Sequence, residues 1–282
     1  MIVLPSVQAG ITGYSGVDLD FKNYISKIET ADVASLETAT KDAIKAFISG
    51  CKFDGIWSSI MSCAIFAGAR TLNGALSTLK GGALTNTLFV PADYNRTSGL
   101  QGAVGKFLNT NLNNIIDAND RNNVHAATYT TTADNGYTLG SNTVDNGSIA
   151  LRPYNHTATT QPSSIFRAHT GGSIDNSAAS TTGFPVPTFG FAGVSRSISA
   201  SANLYYKTPT GYFSGTNAIV SSSVTIPNNI HIFDRNPTGT VSTSVPYKGK
   251  IAFYSIGTYL DLAKLEARVK TLIDTYVSLN LV

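Results

Sequence analysis

The chain reads as mainly β: an antiparallel β-sandwich of jelly-roll type, with an N-terminal helical region and a C-terminal amphipathic helix. Three observations carry this reading. Between about residues 68 and 258, short runs of alternating apolar and small polar residues recur, as half-buried antiparallel strands require. Clusters such as ADNG, VDNG and RNPTG break them at regular intervals. Helical spacing of apolar residues is confined to the two ends of the chain, so alternating β-α-β units are not expected.

Residues 1–17 are Gly-rich and read as an arm or edge strand. Phe21, Tyr24, Ile25 and Ile28 follow the i, i+3, i+4, i+7 pattern of an amphipathic helix over 18–30. Asp32 is a good N-cap for a second helix, with Val33, Leu36, Ala43, Ile44, Phe47 and Ile48 as its stripe and Gly50 as its stop. Ile56, Trp57, Ile60 and Met61 fit a third, short helix. The strand-like runs are VHAATYTTT (124–132), SIALRPY (148–154), SSIFRAH (163–169), SRSISASANLYY (195–206), SSSVTIP (221–227), IHIF (230–233) and GKIAFYSIG (249–257). Asp261 caps the last helix. Leu262, Leu265, Val269, Leu272, Ile273 and Tyr276 form its stripe, which must pack on something, most simply the outside of the sandwich, and Glu266 and Lys270 make an i, i+4 pair. The division expected is an arm (1–17), a helical lead-in (18–64) and a β domain (65–282) ending in a helix over 261–278.

Composition narrows the function classes. Charged residues are 13% of the chain, about half the usual ~25%, with Ser, Thr, Asn and Gly in their place. The net charge of +3 comes from scattered basic residues without a Lys/Arg run, so nucleic acid is not expected as a partner. MIVLPSVQAG has no basic n-region, and no apolar stretch approaches ~18–20 residues, so synthesis in a cytoplasm and no membrane insertion are expected.

Catalytic motifs are missing. The three glutamates, Glu29, Glu37 and Glu266, fall on helices at the ends of the chain, whereas jelly-roll glucanases set two carboxylates across a scissile bond from one strand. GYSG (13–16) and GYFSG (211–215) lack the G-x-S-x-G spacing. GLQGAVGK (99–106) has Leu100 where a P-loop needs its first glycine and is followed by Phe107 in place of Ser or Thr. His125, His156, His169 and His231 form no metal-ligand pair. Asp93/Asn95 and Asp234/Asn236 are D-x-N pairs that either hold Ca²⁺ through oxygen ligands or simply make turns, with turns favoured because one pair supplies too few of the ~6–8 ligands. No catalytic residue, metal or cofactor is therefore assigned, and the expectation is a protein that is not an enzyme. Tyr154, Tyr205, Tyr206, Tyr212 and Tyr247 are sugar-stacking platforms, interface anchors or ordinary strand tyrosines, with the last favoured.

The segment GCKFDGIWSSIMSCAIFAGARTL (50–72) holds both cysteines and the only tryptophan. On a continuous helix Cys51 and Cys63 would stand about 18 Å apart, too far for a disulfide. The segment reads as packing between the lead-in and the first strand. With the NGAL that follows it (73–76), TN (85–86), DYNRTSGLQG (93–102), KFLNTN (106–111), IHIFDRN and YKGKIAFYSIGTYLD, it resembles a family of bacteriophage and prophage structural proteins, often labelled tail fibres. The resemblance is strongest over 43–111 and 230–277 and does not include 1–17. It implies a laminin-G or concanavalin A-like jelly roll located in the virion. The protein would be a peripheral appendage or decoration component of tail or capsid, oligomeric, and docked to other virion proteins through its N-terminal region. The alternative reading is a lectin-like module for host-surface glycans, and a glycan-degrading enzyme comes third. The resemblance transfers no catalytic residue.

Overall fold

The computed structural model describes residues 18–117, 119–141, 148–155, 163–170, 174–175, 189–198, 201–209, 211–218, 227–235 and 246–281; for 153–155, 163–170, 174–175, 212–213 and 215–218 it describes the backbone alone. The expected arm (1–17) and the run at 221–226 lie outside these residues.

Two antiparallel sheets face each other, and a layer of helices covers the outer face of the first. The helices are α1 (Leu19–Asp32), α2 (Thr38–Phe53), a single turn α3 (Leu72–Ala75) and α4 (Leu262–Ser278). The strands are β1 (Ile60–Ile65), β2 (Thr78–Lys80), β3 (Thr85–Thr87), β4 (Tyr94–Asn95), β5 (Gly99–Gln101), β6 (Phe107–Asn113), β7 (Val124–Thr130) and β8 (Leu139–Ser141). They continue with β9 (Ser148–Asn155), β10 (Ser163–Thr170), β11 (Ile174–Asp175), β12 (Gly190–Ile198), β13 (Ser201–Lys207), β14 (Tyr212–Ala218), β15 (Asn229–Ile232) and β16 (Lys250–Gly257). The first sheet runs β14-β13-β12-β7-β16-β1-β2, with β5 beside the start of β16 and β4 beside β5. The second runs β11-β10-β9-β8-β15-β6-β3. The mainly β, antiparallel sandwich with flanking helices is thus the fold of the chain.

Strand alternation sorts the side chains. Between the sheets lie Val124 and Ala126 of β7, Ala192 and Val194 of β12, Leu139 of β8, Ile230 and Ile232 of β15 and Tyr254 and Ile256 of β16. Ala127, Phe191 and Phe253 face the helices instead, against Phe47, Leu265, Val269 and Ile273. The first sheet is therefore buried on both faces, and β16 reads as a nearly unbroken apolar run for that reason. Phe47 of α2 meets Phe253 edge-on at 5.6 Å between centroids. Arg268 of α4 reaches Asp54, just past α2, with bonds of 2.7 and 2.9 Å, tying the two helices together.

Several local expectations are corrected. Asp32 does not cap α2: it ends α1, and its carboxylate accepts from the Arg70, Thr71 and Gly74 amides around the start of α3. Val33, placed in the stripe of the second helix, adopts a left-handed conformation (φ 53°) that closes α1, and it is 91% exposed. Gly50 does not stop α2, which runs on to Phe53; it is small because Arg268 packs across it, 2.8 Å from where a Cβ would stand. The third helix is a 3-10 turn, Trp57–Ser59, and Ile60 already pairs with Gly257 as the first residue of β1. The run 195–206 is two strands, β12 and β13, that fold back on each other. Glu266 and Lys270 do not pair: Glu266 holds Lys207 at 3.0 Å, and Lys270 holds Asp274.

Candidate functional site

Cys51 and Cys63 are both free and fully buried, and burial pushes the Cys63 thiol up to about 12 and the Cys51 thiol higher still. They are packing groups at neutral pH. His125 is also buried. Its Nδ1 lies 2.5 Å from the Thr258 carbonyl and its Nε2 2.8 Å from Ser255 Oγ, and desolvation lowers it to about 4. A neutral ring whose Nδ1–H donates to a carbonyl must accept at Nε2, so Ser255 donates to it. Asp93 accepts from the Val90 amide and Lys106, and Asn95 from the Thr97 and Ser98 amides. These groups are turn formers, and among the described residues no cluster of His, Cys, Asp and Glu could hold a metal ion.

The candidate tyrosines separate. Tyr206 and Tyr247 are buried between the sheets, and Tyr205 is buried under the helices. None of the three is open to a sugar ring. For Tyr154 and Tyr212 the side chains lie outside the described set.

What the fold does build is a cleft of about 390 Å³ where α4 crosses the end of the first sheet. Its volume falls in the range of small-molecule sites, about 300–1,000 Å³. Tyr129 enters from the last turn of β7, on the outward side of the alternation that sends Ala126 inward. Phe189, 40% exposed, stands just before β12. Gly190 follows it at φ 131°, where a Cβ would meet the Lys207 carbonyl at 2.2 Å, so only glycine lets these strand ends close up. The opposite wall is α4: Glu266, Lys270 and Asp274 recur every four residues along one line of the helix, from buried Glu266 to exposed Asp274. Thr97 and Ser98 of the β4–β5 turn close one end, and Thr131 fixes that turn by donating to the Ser98 carbonyl at 2.6 Å.

The chemistry of the cleft is mixed. Glu266 is 2% exposed yet keeps a lysine, Lys207, at 3.0 Å. Burial, with the Asp274 and Glu266 carboxylates beside it, pushes the Tyr129 phenol up to about 12, so it stays protonated at neutral pH and donates a hydrogen bond. Two aromatic rings, threonine and serine hydroxyls and lysine–carboxylate pairs thus face one volume. Apolar ring faces beside hydrogen-bonding groups are what a polyhydroxylated ring requires. Glu266 and Asp274 lie eight residues apart on one helix, about 12 Å by helical rise. Sequence reasoning missed the cleft because Phe189 lies in no recognisable run and periodicity places the helix on the sandwich without saying which strand ends it crosses. The available signal was the polar face of α4 itself, where Glu266, Lys270 and Asp274 stack at i, i+4 spacing.

A second depression of about 560 Å³ lies over α1 and the start of α2, lined by Phe21, Ile25, Glu29 and Lys41. Glu29 there is committed to Lys41 at 2.6 Å and to the Leu36 amide at 2.9 Å, which leaves little polar capacity for a ligand.

No protein-family model and no curated protein matches the chain. Among solved structures it is similar to domain 4 of AbnA, a GH43 extracellular arabinanase from Geobacillus stearothermophilus, in complex with arabinotriose. Identity is 16% and the TM-score 0.44, over 74% of this chain and 98% of that one. It is also similar to a GH54 α-L-arabinofuranosidase soaked with a cyclic sulfate inhibitor, at 8% identity and a TM-score of 0.34, over 63% of this chain and 40% of that one. A mutant of a GH54 α-L-arabinofuranosidase gives 11% identity and a TM-score of 0.33, again spanning 40% of that chain. These matches to glycoside hydrolases overturn the expectation that the chain is not an enzyme, which is withdrawn. At such identities the likeness concerns the fold alone and assigns no substrate and no catalytic residue here.

Proposed function

We propose that this chain is a bacteriophage appendage domain that binds host-surface saccharide in the cleft beside α4. The cleft carries the saccharide part of this reading: Tyr129 and Phe189 offer ring faces, and Thr131, Lys207 and Lys270 offer hydrogen bonds, within one volume of about 390 Å³. The virion part rests on the sequence resemblance over 43–111 and 230–277. In this reading docking to other virion proteins runs through the start of α1, which follows residues 1–17 in the sequence. There Leu19 is 68% exposed, and Phe53, close by across the Lys52–Asp18 ion pair of 2.7 Å, is 88% exposed. Large apolar side chains this open suit a subunit contact, with like chains or with other virion proteins.

The test is a glycan array probed with the whole chain and with Phe189→Ala. Phe189 is exposed enough that its loss leaves the fold intact. Retention of a saccharide class by the wild type and its loss in the variant support the reading. Equal retention by both proteins contradicts the placement of the site. Retained glycans are then assayed for new reducing ends, which would add hydrolysis to binding.

A further inference from the structure

The outer face of the second sheet carries a cluster that the cleft does not use. Ile230 and Ile232 of β15 point between the sheets, so His231 points outward; the same alternation turns Ala150 and Arg152 of β9 and Gly140 of β8 outward. His231 is the register partner of Gly140, and Gly140 of Ala150, so these three stand side by side across three strands. Arg235, just beyond β15, lies across Gly140: a Cβ there would be 3.0 Å from its Cγ. Tyr137 sits between two arginines, with the Arg235 guanidinium carbon 4.7 Å and that of Arg152 5.4 Å from its ring centroid. The two cations are therefore within about 10 Å of each other.

Their hydrogen bonding is incomplete. Arg152 donates through Nη2 to the Asn135 carbonyl and side-chain oxygen at 3.1 and 2.7 Å, and Arg235 through Nη1 to the Tyr137 hydroxyl at 3.2 Å. The Nε–H groups of both arginines are buried and unpartnered, and so is Nδ1 of His231. Arg152 is 8% exposed and His231 3%. Neither guanidinium is paired with a carboxylate among the described residues. Two cations on one ring repel, and a buried donor without an acceptor is costly. An oxyanion removes both penalties, since it accepts from the Nε–H edges of guanidinium groups and neutralises them. Beside these donors, His231 stacks on Phe107 at 4.4 Å and 14°, and Phe107 is partly exposed, giving a flat apolar surface next to the charge.

We infer that this face, centred on Arg152, Arg235 and His231, is a second binding site that takes an oxyanion, namely the carboxylate of an acidic saccharide or a free inorganic anion of the same geometry. Arg235, which is only partly buried, is the side from which the ligand enters. The site is separate from the cleft, so it stands or falls independently of the function proposed above.

The experiment is titration calorimetry of the full chain at fixed ionic strength with tri-galacturonate, with a neutral galactose trisaccharide and with inorganic phosphate. Tri-galacturonate and phosphate should bind and the neutral sugar should not. Arg235→Gln should weaken both ligands at least about tenfold, the scale of a charge-assisted hydrogen bond. Phe107→Ala should weaken tri-galacturonate and spare phosphate if the ligand is a saccharide. If phosphate alone binds the wild type and Arg235→Gln weakens it, the oxyanion site stands and its source is the free anion. Phe189→Ala, in the cleft, should change neither affinity. Should Arg235→Gln fail to fold, Arg235→Lys keeps the charge without the planar fork, and the His231 imidazole signals of the wild type are followed by NMR as anion is added. Undetectable binding of both anions, equal binding by wild type and variant, or His231 signals that do not move would overturn the inference.

Discussion

Asp32, at the end of α1, accepts the amide of Gly74 in α3 at 3.1 Å, and a β-carbon on residue 74 would lie 2.2 Å from that same oxygen. The carboxylate cannot yield, because it also takes the Arg70 amide at 2.7 Å, the Thr71 amide at 2.9 Å and the Thr71 hydroxyl at 2.6 Å. Asp32→Ala leaves several donors without an acceptor and should cost about 3 kcal/mol. Gly74→Ala should cost about 1–3 kcal/mol through overpacking. Combining them removes the clash, so the double variant should lose less than the sum in urea denaturation. Strict additivity would mean that the two residues do not meet.

The Asp54–Arg268 pair joins elements more than two hundred residues apart in sequence. It is bidentate, and Arg268 holds the Asp54 carboxyl below its ordinary range chiefly through that hydrogen bond. The arginine side chain is 36% exposed, so solvent screens the pair. A double-mutant cycle with Asp54→Ala and Arg268→Ala should give a coupling of about 1 kcal/mol that shrinks in high salt. The arginine stem also packs across Gly50, so Arg268→Ala should be the more costly single change.

His125 sets an acid limit on stability. Its native value is lowered to about 4 by burial, below the ordinary ~6.5. The unfolded chain therefore binds the proton first as pH falls. Stability from this group is complete above pH ~6.5 and is lost progressively between ~6.5 and ~4, by roughly 3 kcal/mol in total. Urea midpoints measured from pH 7 down to pH 4 should fall, and His125→Gln should flatten that slope. An unchanged slope would remove His125 from the account.

Trp57 is half-buried rather than enclosed. Its indole N–H donates to Asp20 Oδ2 at 3.1 Å, and Lys80 and Lys52 lie 4.7 and 5.5 Å from the ring. Trp57→Ala should cost about 2 kcal/mol in thermal or chemical denaturation, below the ~3–5 kcal/mol of a fully buried ring.

Where one physical rule decides a residue's place, the sequence was legible. The stripes of α1, α2 and α4 and the cap at Asp261 follow from helical periodicity, and β7, β15 and β16 follow from alternation and β-branched or aromatic content. Tertiary competition hid the rest. Asp32 is an equally good cap for a helix that follows it in sequence or for one brought beside it by folding, and only the packing of α1 on α3 decides. Ile60 and Met61 continue a helical pattern, yet pairing of Ile60 with Gly257 makes them strand. Glu266 had a suitable lysine four residues on, but Lys207 arrives from β13 where the carboxylate is already buried. The cleft was invisible for the same reason: Tyr129, Phe189 and Glu266 are far apart in sequence and meet only when α4 lies across the first sheet.

The central claim is that the cleft beside α4 holds saccharide, and affinity measured against the array-selected glycan tests it most directly. Calorimetry on the wild type, Phe189→Ala and Lys270→Ala should show binding that weakens at least about tenfold without Phe189 and by less without Lys270, whose ammonium is already held by Asp274, with all three proteins equally stable. Unchanged affinity in Phe189→Ala, from protein with the wild-type unfolding midpoint, would contradict the account.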